Sequence, residues 1–220
     1  MNWLLHSTAG TLTRVVIGCG ILLTLMIVDL ARNKSRATRW REYVFLLICV
    51  AVAIMYGMLN DQVTSRISWE YFYYGKELYE ILGPQVPPDQ LALSREAAKI
   101  GAMATWSVGL ILGVAILIAN NPRRDRPQLR FRALLKLLIP VIAITIVFAM
   151  GFGFAGSRGW LNRFGAEFQE LWDTNLWRPR RFMTAWGAHL GGYAGGLIGG
   201  AWCVWRTWRL RKRATPTTSI

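Results

Sequence analysis

Few residues in this 220-residue chain stand where they could do chemistry. The first is His189, set inside the apolar run from Trp186 to Trp205, where an ionisable group is costly and needs a partner or a polar cavity. The expected membrane topology brings one end of that run level with Asp61, Gln62, Thr64, Ser68, Glu70, Tyr71, Thr105, Ser107 and Tyr193. From these we take Asp61, Glu70, Tyr71, Thr105, His189 and Tyr193 as the candidate polar site. A histidine with two carboxylates can relay a proton or hold a divalent metal. Spacing argues against metal, because the chain has no H-x-x-x-H, H-E-x-x-H or C-x-x-C motif. Neither a metal nor a cofactor is expected, and no catalytic residue is assigned. The simpler reading of the same residues is a histidine hydrogen-bonded to a neighbouring helix, joining helix ends.

The elements that must position these groups follow from composition. Hydrophobic residues make up 53% of the chain and charged ones 17%, against about 45–50% and 25% in a soluble domain. The apolar residues cluster into five runs, at about 15–31, 43–60, 100–120, 134–156 and 186–205, the fourth with Pro140 near its start. A helix needs about 20 apolar residues to cross about 30 Å of hydrocarbon. None of the runs alternates with the period of two that a barrel strand requires. The expected fold is therefore all-α: one integral membrane domain over residues 1–220 with five transmembrane helices. The first run follows a lone Arg14 and is succeeded by ARNKSRATRWRE rather than a cleavage site, so it reads as a retained helix. Cys19, Cys49 and Cys203 all lie inside apolar runs, which excludes a disulfide scaffold and makes them packing residues.

Charge then orients the spans. The connections at 32–42 and 121–133, with the tail at 206–220 and Lys136 beside them, hold sixteen of the 26 basic residues and only Glu42 and Asp125 among the acids. The other side, mainly the loops 61–99 and 157–185, holds ten basic residues and nine of the twelve acids. Basic residues favour the cytoplasmic side, which puts the N-terminus outside and the C-terminus in the cytoplasm. The last outer loop strains this, with five arginines. The tail segment RTWRLRKR would attract anionic lipid headgroups at the cytoplasmic face; no nucleic-acid-binding motif accompanies it. Asp29, at the end of the first span, is expected to pair with Arg32 or to face water.

Both outer loops carry amphipathic segments expected to lie at the headgroup level. In the first, Ser68 suits a helix N-cap with Glu70 in the first turn, ahead of the aromatic run WEYFYYGKELYEIL. In the second, Phe164, Phe168, Leu171 and Trp172 share one helical face. Five of the eleven tryptophans, Trp69, Trp160, Trp172, Trp177 and Trp186, fall at outer boundaries. Glycine gives the most specific pattern: Gly187, Gly191, Gly195 and Gly199 recur every four residues, with Gly192, Gly196 and Gly200 beside them. The third span has its own stripe at Gly101, Thr105, Gly109 and Gly113. Such stripes let helix backbones touch in lipid, and the expectation is that the third and fifth spans meet, within the chain or across a dimer.

The stretch Asp61-Gln-Val-Thr-Ser-Arg-Ile-Ser-Trp-Glu-Tyr-Phe72 resembles a D-Q-x-T-x-x-I-S-P-E-Y-F motif of an uncharacterised family of bacterial multi-pass membrane proteins. The segment from Ala188 to Gly196 is similar to that family's late His–Gly–Tyr–Gly stretch, and Ala104-Thr-Trp106 matches as well. Trp69 stands where the family has proline. The resemblance implies a bacterial inner-membrane, multi-pass protein in which Asp61, Glu70 and His189 belong to one site; it transfers no activity. The leading functional reading is a non-enzymatic accessory or scaffold subunit, bound to a membrane-protein partner or to itself through its glycine-rich faces. The alternatives are a small transporter or channel with an outer-leaflet polar pocket around His189, and an intramembrane enzyme.

Overall fold

The computed structural model describes residues 2–34, 37, 39–121, 127–164 and 178–213. Among these every regular element is helical: α1 (Asn2–Asn33), α2 (Trp40–Ile67), α3 (Trp69–Tyr73), α4 (Tyr79–Leu82), α5 (Gln90–Ala119), α6 (Phe131–Ser157), a 3₁₀ turn (Asn162–Phe164) and α7 (Pro179–Arg213). Four segments are long and apolar enough to cross a membrane, namely Thr13–Asn33, Trp40–Ile67, Gln90–Ala119 and Phe131–Ser157. The chain is thus a multi-pass membrane protein by its apolar helices. The fifth apolar run does form a helix, but seven glycines with His189 and Tyr193 leave α7 less apolar than those four. All five long helices exceed the apolar runs that announce them, at 27 to 35 residues. At 1.5 Å per residue that is about 40–52 Å, more than about 30 Å of hydrocarbon needs. The excess matters at α2, which continues through Asp61 to Ile67 instead of giving way to a loop after Asn60.

The chain forms two compact units, and α2, α5, α6 and α7 each contribute one part of their length to each. The first comprises Met55–Ala102 and Ile142–Ile198. Its core is Tyr71, Phe72, Leu78, Leu93, Ala97, Phe182, Met183 and their neighbours. The aromatic run after Ser68, which reads as one amphipathic helix, is instead two short helices separated by a tight turn. Gly75 permits that turn, because a Cβ there would meet the Tyr71 carbonyl at 2.7 Å and the Phe182 ring at 3.2 Å. Glu77 then takes a left-handed φ of 57°. The reversal buries Tyr71, Phe72, Tyr73 and Leu78 against the other helices of this unit. Phe164 ends the 3₁₀ turn with its side chain exposed; Phe168, Leu171 and Trp172 lie outside the described residues.

Glycine sets the helix contacts in this unit. A Cβ on Gly101 of α5 would overlap the Gly57 carbonyl of α2, so the two backbones touch. Along α7, Gly187 faces the Phe152 carbonyl, Gly191 the Phe148 carbonyl and Gly195 the Cα of Thr145, all on α6. Gly156 of α6 meets the Met183 carbonyl in return. The two stripes therefore serve different neighbours. That of α5 packs on α2 and that of α7 packs on α6, while α5 and α7 themselves meet in the second unit, where the Cβ position of Gly200 is 3.2 Å from the Leu112 side chain. Periodicity gives the face of a helix and not its partner.

The second unit comprises Asn2–Ile54, Met103–Val141 and Gly199–Ile220, around Phe45, Cys49, Ile116, Leu134, Leu138 and Cys203. The same pairings recur in it: Gly109 and Gly113 lie against Cys49 of α2, and Gly199 against Val141 of α6. Asp29 neither pairs with Arg32 nor faces water. It is buried, and its carboxylate accepts from the Trp40 N–H at 2.9 Å and from Asn33 Nδ2 at 2.7 Å, fixing the start of α2. Arg211 is also buried, and donates to the Ala119 carbonyl at the end of α5 and to the Pro127 carbonyl ahead of α6. It is thereby withdrawn from the basic tail segment expected to meet lipid. By contrast, the most apolar stretch of α1 is 0% buried, with Gly18 and Gly20 in open space.

Gly191→Ala forces the α7 and α6 backbones apart and is expected to cost about 1–3 kcal/mol. Gly20→Ala, at an open helical position, is expected to be neutral or to gain up to about 1 kcal/mol. Thermal unfolding in detergent compares the two.

Candidate functional site

The site is built where α2 ends. Asp61 and Thr64 are three residues apart and share a face of the helix. The helix stops at Ser68, whose extended backbone starts α3 and whose Oγ accepts from the Tyr71 N–H at 3.2 Å. That cap turns the chain back, so Tyr71 and Phe72 approach the residues one to two turns before them. From α7 comes His189, with Nε2 3.2 Å from Thr64 Oγ1 and 3.6 Å from Asp61 Oδ1. Asp61, Thr64 and His189 are all buried.

The hydrogen bonds assign the imidazole proton. A hydroxyl has one proton to donate, and Thr64 gives its own to the Asn60 carbonyl at 2.8 Å. Toward His189 it can therefore only accept, which makes Nε2 the N–H. The same N–H faces the Asp61 carboxylate, whose Oδ1 also accepts from Asn60 Nδ2 at 3.3 Å. Aromatic rings enclose the imidazole: Tyr71 at 4.9 Å between centroids, Phe72 at 5.8 Å and Tyr193 at 6.5 Å.

Lys76, in the turn after α3, completes the electrostatics. Its ammonium lies 5.6 Å from the Tyr71 ring centroid, in a cation–π contact. Burial pulls its pKa below the ordinary lysine value, and the Asp61 carboxylate opposes that shift. Burial raises the Tyr71 phenol, and negative charge on Tyr193 or Asp61 would raise it further. A lone basic residue in a loop reads as solvated, so Lys76 did not stand out among the residues of its segment. Its only signal was the neighbouring Gly75.

The remaining candidates go elsewhere. Glu70 is buried, and its carboxylate accepts from the Arg178 N–H at 3.0 Å. There it satisfies one of the open N–H groups at the start of α7 and complements the positive end of that helix. It positions the helix that carries His189. Thr105 belongs to the second unit. Tyr193 borders the imidazole but is half exposed. A separate open groove of about 580 Å³ lies between α2 and the start of α5, lined by Gln62, Arg66, Gln90, Ser94 and Arg95. Among the described residues no three His, Cys, Asp or Glu side chains gather closely enough to hold a metal ion. Comparison with protein-family models, curated proteins and solved structures finds no match for this chain.

A lysine whose folded pKa is lowered binds fewer protons folded than unfolded, so its contribution to stability rises with pH up to the unfolded value of 10.5. Lys76→Met removes that rise. Unfolding measured from pH 7 to 10.5 should show wild type gaining on Lys76→Met as pH increases; a constant difference would contradict the burial of this amine.

Proposed function

We propose that this protein is a small proton-linked transporter or channel whose protonatable centre is the His189–Asp61 pair. One observation carries the reading: two ionisable side chains, both buried, face each other across α2 and α7 at 3.6 Å. Burying an ion pair gives little net stability, whereas ionisable groups within membrane helices mark ion and proton pathways. In this reading α7 is the fifth span, and the surplus of basic residues at 32–42, 121–133 and 206–213 faces the cytoplasm of a bacterial inner membrane. The N-terminus then lies outside and the His189 site belongs to the outer leaflet. Exposed Arg209, Lys212 and Arg213, with half-buried Arg206, remain for anionic headgroups, and Arg209 and Lys212 are also held over Trp205 and Trp208.

A second reading, the accessory or scaffold subunit, draws support from α1 rather than from the glycine stripes. The stripes are occupied within the chain, but α1 offers Val16, Ile17, Ile21 and Ile27 exposed on either side of Gly18 and Gly20. The enzyme reading loses weight, because Glu70 is engaged at the start of α7.

In proteoliposomes loaded with a pH-sensitive dye, wild type should pass protons down an imposed gradient, and Asp61→Asn should reduce the rate about tenfold or more. A scaffold would show no Asp61-dependent flux. In a cysteine-free background, Gln85→Cys should react with an impermeant thiol reagent added outside intact cells, and Gln128→Cys only after the cells are opened. The reverse pattern would invert the topology.

A further inference from the structure

Tyr56 lies on α2, five residues before Asp61, and its hydroxyl oxygen is fully enclosed with no hydrogen-bond partner among the described residues. An enclosed hydroxyl left without a partner destabilises the fold, so its presence here points to a use. The hydroxyl points at the backbone of α7: a Cβ built on Gly192 would stand 2.9 Å from Tyr56 Oη and no closer than 3.9 Å to any other atom of the ring. Gly192 follows His189 by three residues and therefore shares its face. One turn further on the same face, the Cβ position of Gly196 is 3.9 Å from Thr145 Oγ1. Three successive levels of α7 thus meet polar oxygens, first Asp61 and Thr64 at His189, then Tyr56, then Thr145. From residue 189 to residue 196 this row covers about 10 Å along the helix. Tyr56 is also within electrostatic reach of Asp61 and of Tyr193.

We infer that Tyr56 is the next proton-carrying group inward from the His189–Asp61 pair, its enclosed phenol exchanging protons with water admitted across Gly192 during each passage. This inference rests on the proton-linked reading proposed above. In each passage the Tyr56 oxygen takes a proton from water on its inner side while its own O–H proton leaves toward Asp61, so the phenol is regenerated. Asp61 gains one proton and the inner water loses one.

The test uses the full-length protein in proteoliposomes, with proton flux and thermal unfolding read on the same preparations. Tyr56→Phe removes only the unpartnered oxygen, so its melting temperature should match or exceed that of wild type while its flux falls about tenfold or more. Gly192→Ala puts a methyl group against that oxygen alone and should lower flux in the same way. A Tyr56→Phe variant that carries protons at the wild-type rate, beside an Asp61→Asn variant that does not, would overturn this inference and leave the reading of the pair intact. Flux that is insensitive to Asp61→Asn would overturn both.

Discussion

Direct contact between helix backbones holds this protein together and sets where its polar groups can meet. Apolar surface gains little by leaving lipid for another helix, so association rests on close packing and on polar bonds between helices. Glycine supplies the closeness. Gly101 against Gly57 brings α5 and α2 together, and Gly187, Gly191 and Gly195 seat α7 on α6. Once α7 is seated by that row, its adjacent face is determined as well. That face carries His189, Gly192 and Gly196, turned toward Asp61, Tyr56 and Thr145. One helix therefore uses one glycine row to pack and a neighbouring row to leave room for polar atoms.

The candidate site follows from this geometry and from a reversal of chain direction. Ser68 ends α2 and starts α3, which returns Tyr71 and Phe72 over the imidazole. The turn at Gly75 and Glu77 then brings the Lys76 ammonium beside Tyr71 and within reach of Asp61. Glu70 leaves the imidazole to its neighbour and holds the start of α7. A carboxylate that receives a backbone N–H at a helix start favours that helix position, so Glu70 contributes to the site by fixing where His189 stands. Two adjacent residues on a five-residue helix thus do different jobs, because successive side chains point about 100° apart.

Much of this was legible in the residues. Apolar runs announced the four membrane-length helices, Ser68 announced the cap of α3, and the fourfold glycine repeat announced backbone contact. Asp61 and His189 stood out as ionisable groups beside or inside apolar runs, which in lipid need partners. What could not be read was which surfaces meet. The α5 stripe lies on α2 and the α7 stripe on α6, and no feature of either stripe specifies that choice. Nor could the sequence show that a buried Tyr56 hydroxyl would end against Gly192, or that Arg211 would leave the basic tail to bind the carbonyls of Ala119 and Pro127.

The order of residues alone sets the solvent of this protein, its helices, and the residue types that a membrane would force into partnership. It does so because apolar length, glycine spacing and ionisable side chains act locally, through the cost of exposing each group to lipid. That His189 meets Asp61 and Thr64, that Lys76 joins them from a turn, and that Glu70 serves the start of α7 emerge only once the helices are packed. Those outcomes depend on the register between helices far apart in the chain. That register is a property of two backbones in contact and is written in neither helix alone.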